Sequence, residues 1–221
     1  MARLWYLRRG VAWPPVLGCC GAALITALLV VRWPDSAGVL VPGVLACCAG
    51  AAAFVYDEAA LPVVAVTPRG AGWRRRLRLG VTLVPLSVWA LVVTLRPGDV
   101  PLDRPGWWLL GDATLLLVTG SAALASRRRV STPGALLAPV VAVAVIAPVT
   151  LSGMFMWGTL YPIGDFPGAV RTVWLVVAAT ATVVCAAGLL PDGSSVRTWA
   201  LRFAGLSALV SPSSVHFKER V

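Results

Sequence analysis

Apolar residues in this chain fall into six long runs, separated by short segments where arginine, proline, glycine and aspartate gather. The runs occupy residues 16–33, 38–56, 79–95, 107–125, 135–153 and 172–190, each 17 to 19 residues long. At 1.5 Å rise per residue, helices of that length nearly cover the ~30 Å hydrocarbon core of a bilayer. Turn formers mark the breaks: Pro34-Asp35, Arg96-Pro97-Gly98, Thr132-Pro133-Gly134 and Pro191-Asp192-Gly193. The pattern predicts an all-α polytopic membrane protein, with a six-helix transmembrane domain over residues 16–190, an N-terminal segment 1–15 and a tail 191–221. No fixed-period repeat is present.

Flanking charge orients the spans. With the N-terminus inside, 15 of the 19 Lys and Arg residues fall on the inner side, in clusters around Arg8, Arg75, Arg128 and Arg202; only Arg32, Arg96, Arg104 and Arg171 fall outside. This is the positive-inside pattern, and it predicts that both termini are cytoplasmic; the expected location is the cell (plasma) membrane. The first run exceeds the h-region of a signal peptide, and Asp35 occupies the best small-residue cleavage site, so the first helix is expected to be retained. Trp5, Tyr6, Arg8, Arg9 and Trp13 suit a short interfacial helix on anionic lipid. Val196, Trp199, Phe203, Leu206 and Val210 form a helical stripe opposite Arg197 and Arg202, predicting a second surface helix before a frayed end at residues 211–221.

Composition adds an exclusion. Charged residues make up 13% of the 221 and mean hydropathy is +0.83, whereas soluble domains carry about 25% charged residues. Six spans of ~20 residues leave about 100 for termini and connections, too few for a folded soluble module in any one of them. The net charge of +10 does not point to nucleic acid, because apolar runs divide the arginines into short clusters rather than a stripe.

Motifs exclude more. The only lysine, Lys218, lies between Phe217 and Glu219, so there is no P-loop; Gly70-Ala71-Gly72 lacks the third glycine of a dinucleotide loop. The single histidine, His216, leaves no paired-histidine metal site. Thr150-Leu151-Ser152-Gly153 approximates a serine nucleophile loop without its first glycine or a membrane histidine to serve as base. Cys19-Cys20, Cys47-Cys48 and Cys185 all lie inside spans, where they read as small apolar residues; two helices' thiolates would suit a soft ion, but no metal site is assigned. Asp112 is the only acid within a span, roughly 8 Å along the helix from Trp107. It reads either as an interfacial or pore-mouth carboxylate or as a group in a translocation path.

The longest inner connection, residues 57–78, is the most informative. It opens with Asp57-Glu58, continues through a mostly apolar stretch bounded by Pro62 and Pro68, and closes on Gly72-Trp73-Arg74-Arg75-Arg76-Leu77-Arg78. An exposed Pro-Val-Val-Ala-Val stretch needs a surface to cover it. In its six-span plan, basic-aromatic N-terminus, this connection and the outer segment Met154-Phe155-Met156-Trp157-Gly158-Thr159-Leu160-Tyr161-Pro162 with Phe166-Pro167, the chain resembles the membrane subunits of actinobacterial ABC transporters, the ABC-2 type permeases.

The resemblance implies a permease that forms half of a translocation path and hydrolyses no ATP itself. A separate P-loop ATPase would carry ATP and dock on residues 57–78, with Asp57, Glu58, Arg74, Arg75 and Arg76 as contacts. It also implies a second permease copy or a sister permease, and an outer re-entrant hairpin containing Trp157, Tyr161, Pro162 and Pro167. The few polar groups in the spans lean toward export of an amphipathic or apolar cargo. The alternative is an independent secondary transporter or channel with Asp112 as coupling group; a membrane scaffold and an intramembrane enzyme are weaker readings. Ala178, Thr182 and Ala186, and likewise Ala46 and Gly50, form small-residue ridges for helix packing within or between subunits. Pro85, Pro139 and Pro148 are expected to bend their spans.

Overall fold

A computed structural model describes residues 7–57, 75, 77–95, 103–128, 130–155, 160–162 and 167–189. Among them there is no strand, and six helices are long and apolar enough to cross a membrane. The six spans are built on α1 (Trp13–Arg32), α2 (Ala37–Phe54), α3 (Leu83–Leu95), α4 (Arg104–Arg127), α5 (Pro133–Phe155) and α6 (Gly168–Leu189), the third reaching membrane length only over residues 77–95, where a 3-10 turn and a further helical turn precede α3. The surface helix expected after α6 lies outside the described residues, whereas residues 7–10 are helical.

Local chemistry sets the boundaries. Prolines lie in the first turns of α1 and α4, where a missing N–H costs nothing. Asp103 caps α4, its Oδ2 accepting from Gly106 N at 3.1 Å, and this carries the helix start to Arg104, three residues before the apolar run. Between α1 and α2 only Trp33 and a 3-10 turn, Pro34–Ser36, intervene, making a tight antiparallel hairpin. Pro139 and Pro148 sit inside α5 as expected, and Pro42, not anticipated as a bend, sits inside α2. In the third span, Pro85 lies in the first turn of α3, directly after a 3-10 turn, Gly80–Thr82, so the ladder is interrupted in the turn before the proline, where its missing N–H leaves the i→i−4 bond unmade.

Burial divides the helices into two central and four outer ones. The apolar stretch of α2 is 67% buried and that of α4 56%, whereas α1, α3, α5 and α6 range from 11% to 28%. Helix α2 packs against α1, α3, α4 and α5, while α4 packs against α6 and also touches α3 and α5. The composition of α2 explains its place. Ala46, Cys48, Ala49, Gly50, Ala51, Ala52 and Ala53 are all buried, and with such small side chains on every face, neighbours approach from every side.

The closest pair is α4 with α6. A Cβ on Gly120 would lie 2.6 Å from Cys185 N, and one on Gly188 would lie 2.9 Å from Ala123 Cβ. The packed face of α6 is therefore Ala181, Cys185 and Gly188. Of the ridge expected from sequence, Thr182 and Ala186 are exposed and Ala178 is half-buried. The other ridge packs inside the bundle: a Cβ on Gly50 would meet Cys19 Sγ at 3.7 Å and Ala138 Cβ at 4.0 Å.

Candidate functional site

Buried polar contacts concentrate at two places. The first is the end of the bundle that carries Arg8, Arg9, Arg75, Arg78, Arg127 and Arg128, the basic end. Helix α2 stops at Phe54, and Asp57 follows one turn later, its N–H donating to Phe54 O at 3.1 Å. The Asp57 carboxylate turns onto the N-terminus of α5, where Oδ1 accepts from Gly134 N at 2.6 Å. It is an N-cap supplied by another helix, placed where free N–H groups and the helix dipole favour an anion. Position 134 must be glycine, because a Cβ there would lie 2.6 Å from Phe54 Cδ1 and 2.7 Å from Phe54 Cα.

Burial raises the Asp57 carboxyl above the ordinary carboxylate range, against the pull of the Gly134 and Ala135 N–H groups and the Arg78 charge. Arg78 closes the arrangement. Its Nη1 donates to Tyr56 O at 2.8 Å and its Nη2 to Gly10 O at 2.8 Å, so one guanidinium joins the end of α2, the entry to α3 and the segment before α1. Tyr56 Oη also donates to Arg75 O at 3.4 Å. Both ends of the connection 57–78 thus return to one buried polar cluster. Nearby, Arg127 at the end of α4 donates to Ala187 O in the last turn of α6.

The second place is the opposite end, around Leu160, Tyr161 and Pro162. Pro162 O accepts from Asp103 N at 3.3 Å and from Trp107 Nε1 at 3.0 Å, and Leu160 O accepts from Trp174 Nε1 at 2.8 Å. Tyr161 Oη donates to Val145 O in α5. The Tyr161 ring stacks on Trp107 with centroids 5.7 Å apart and lies 6.3 Å from Trp174; Trp107 in turn lies 5.9 Å from Trp89. Two helices besides α5, α4 and α6, thus hold this short stretch.

No family model, curated protein or solved structure matches the chain. Its functional reading therefore rests on the geometry.

Of the five residues expected to meet an ATPase, Asp57 and Arg75 are buried, at 7% and 6% exposure, and so offer no contact surface; Glu58, Arg74 and Arg76 lie outside the described residues. Tyr161 and Pro162 are buried at the opposite end, Pro167 is exposed, and Trp157 lies outside the described residues. Asp112 is half-buried in α4 and has no hydrogen-bond or ion-pair partner among the described residues. The five cysteines are unpaired thiols, and among the described residues no three His, Cys, Asp or Glu side chains gather as a metal site requires.

Sequence reasoning did not single out Arg78 as a clasp or Gly134 as the seat of the cap. Gly134 directly follows Pro133, which marks a helix start, but only the fold shows that its capping partner is 77 residues away. The Trp107 and Trp174 indoles were equally unreadable, because their acceptors come from the α5–α6 connection.

Proposed function

We propose that this six-helix membrane protein is the permease subunit of an ATP-driven transporter of the ABC-2 type, forming half of a translocation path. Its termini and basic end face the cytoplasm of a plasma-membrane protein. The observation that supports this reading is the anchoring of residues 57–78. Asp57 ties one end of the connection to α5, and Arg78 ties the other to α2 and to the segment before α1. Force applied to the connection by a docked P-loop ATPase would pass into α5 and α1 without stretching a slack loop. The contacts to the ATPase would come from Glu58, Arg74 and Arg76 of the same connection, since Asp57 and Arg75 are buried. A second copy or a sister permease completes the path, and the cargo is amphipathic or apolar and exported.

The test is co-purification of a P-loop ATPase with the full chain from native membranes, using charge reversals at residues other than Asp57 and Arg78. Arg74→Glu with Arg76→Glu should abolish recovery of the ATPase. Full recovery would remove the docking assignment.

Asp112 supports a second reading, an independent secondary transporter or channel, because a half-buried carboxylate inside a span with no described partner suits ion coupling. Proton-dependent flux by the purified chain alone, lost in Asp112→Asn, would favour it over the permease.

A further inference from the structure

Helices α2 and α5 touch at the basic end and part toward the other. Near the basic end a Cβ on Gly134 would collide with Phe54, and Gly50 faces Ala138. At the opposite end, Val39 and Pro42 in the first turns of α2 face Ile146, Val149, Gly153 and Met154 across an open groove of about 450 Å³, within the size range of ligand pockets. Thr150 also lines it, but its hydroxyl donates to Ala147 O at 2.9 Å, so its polar atom is spent on its own helix. Gly153 leaves the wall open, with no atom within 4 Å of where a Cβ would stand.

Length and chemistry narrow the occupant. From Ile146 to Met154 the groove follows α5 for roughly 12 Å, about the depth of one leaflet of a ~30 Å core. Its seven lining residues offer a small part of the ~800 Å² that each partner buries in a stable interface between copies, and a polar ligand would find no free side-chain donor or acceptor to replace water. The rims continue into surface that meets hydrocarbon: Val39 is 61% exposed and Met154 75%.

We propose that this groove binds one acyl chain of a phospholipid from the leaflet at the Tyr161 end, leaving the headgroup at the interface. The site selects by length and by absence of polarity, and it stands whether or not the chain partners an ATPase.

The test uses the full chain in phosphatidylcholine vesicles doped with a phosphatidylcholine bearing a mid-chain diazirine, with photoadducts mapped by mass spectrometry. Severalfold more adducts are expected at Val39 and residues 149–154 than at Val173 and Val176, which are exposed near the same end of α6. Gly153→Leu and Val39→Trp should each abolish that excess while leaving the thermal unfolding midpoint unchanged, since both positions face open space. Equal labelling of groove and α6 would reduce the site to general bilayer contact and overturn the proposal. So would an excess that survives both substitutions, or a groove labelled less than α6, the signature of a protein surface covering it.

Discussion

Trp89 and Gly111 illustrate how single residues set this bundle. The Trp89 indole is fully buried, its Nε1–H finds no acceptor among the described residues, and a Cβ on Gly111 would lie 1.8 Å from that nitrogen. Gly111→Ala should therefore cost about 1–3 kcal/mol from overpacking, read as a lower unfolding midpoint in detergent, and Trp89→Phe in the same chain should recover part of it. Asp57 makes a second test. Because burial raises its carboxyl, the folded state holds the proton more tightly than the unfolded chain. Its contribution to stability is full below the unfolded carboxylate value and is lost as pH rises through the folded one. Asp57→Asn should flatten this acid-side gain, whereas Asp57→Ala should also lose the cap, about 1 kcal/mol; unfolding midpoints measured across pH separate the two. Neither residue's surroundings were legible in the sequence. Asp57 was visible as an acid after an apolar run, but the N–H it caps belongs to a helix that begins 76 residues later, and Gly111 looked like any glycine inside a span.

At the scale of elements, the six spans were legible because continuous apolar runs carry that information locally; α1 and α4 begin three residues and α6 four residues before the runs, and of these starts only that of α4 carries a side-chain cap among the described residues, from Asp103. Which helix face packs was not legible. Small residues line α6 on more than one side, and only the contact with Gly120 distinguishes Ala181, Cys185 and Gly188 from the exposed Thr182 and Ala186. Gly120→Leu should force α4 and α6 apart and cost about 1–3 kcal/mol or more, while Thr182→Leu should leave the unfolding midpoint within about 0.5 kcal/mol of wild type. The outer connection follows the same logic. Tyr161→Phe keeps the stack on Trp107 but removes the hydroxyl bonded to Val145 O, an expected loss of about 1 kcal/mol by the same measurement.

For the whole molecule, the surplus of arginine at one end serves more than orientation. Arg78 and Arg127 are bonded to backbone carbonyls at the ends of α2 and α6, while Arg8 and Arg128 are exposed and remain available to headgroups. If that end is cytoplasmic, cysteines introduced at Arg8 and Arg128 in a cysteine-free background should resist an impermeant maleimide applied to intact cells, and one at Pro167 should react. The reverse result would invert the orientation. The Arg78 clasp also bears on how the chain is made. The carbonyls of Gly10 and Tyr56 emerge early from the ribosome, but the guanidinium that satisfies them arrives only with the entry to α3, and the helix that Asp57 caps arrives later still. Each early hairpin is thus left chemically unfinished until a later one inserts, so synthesis from the N-terminus would close the basic end in a fixed sequence, and α5 would be the piece that completes it.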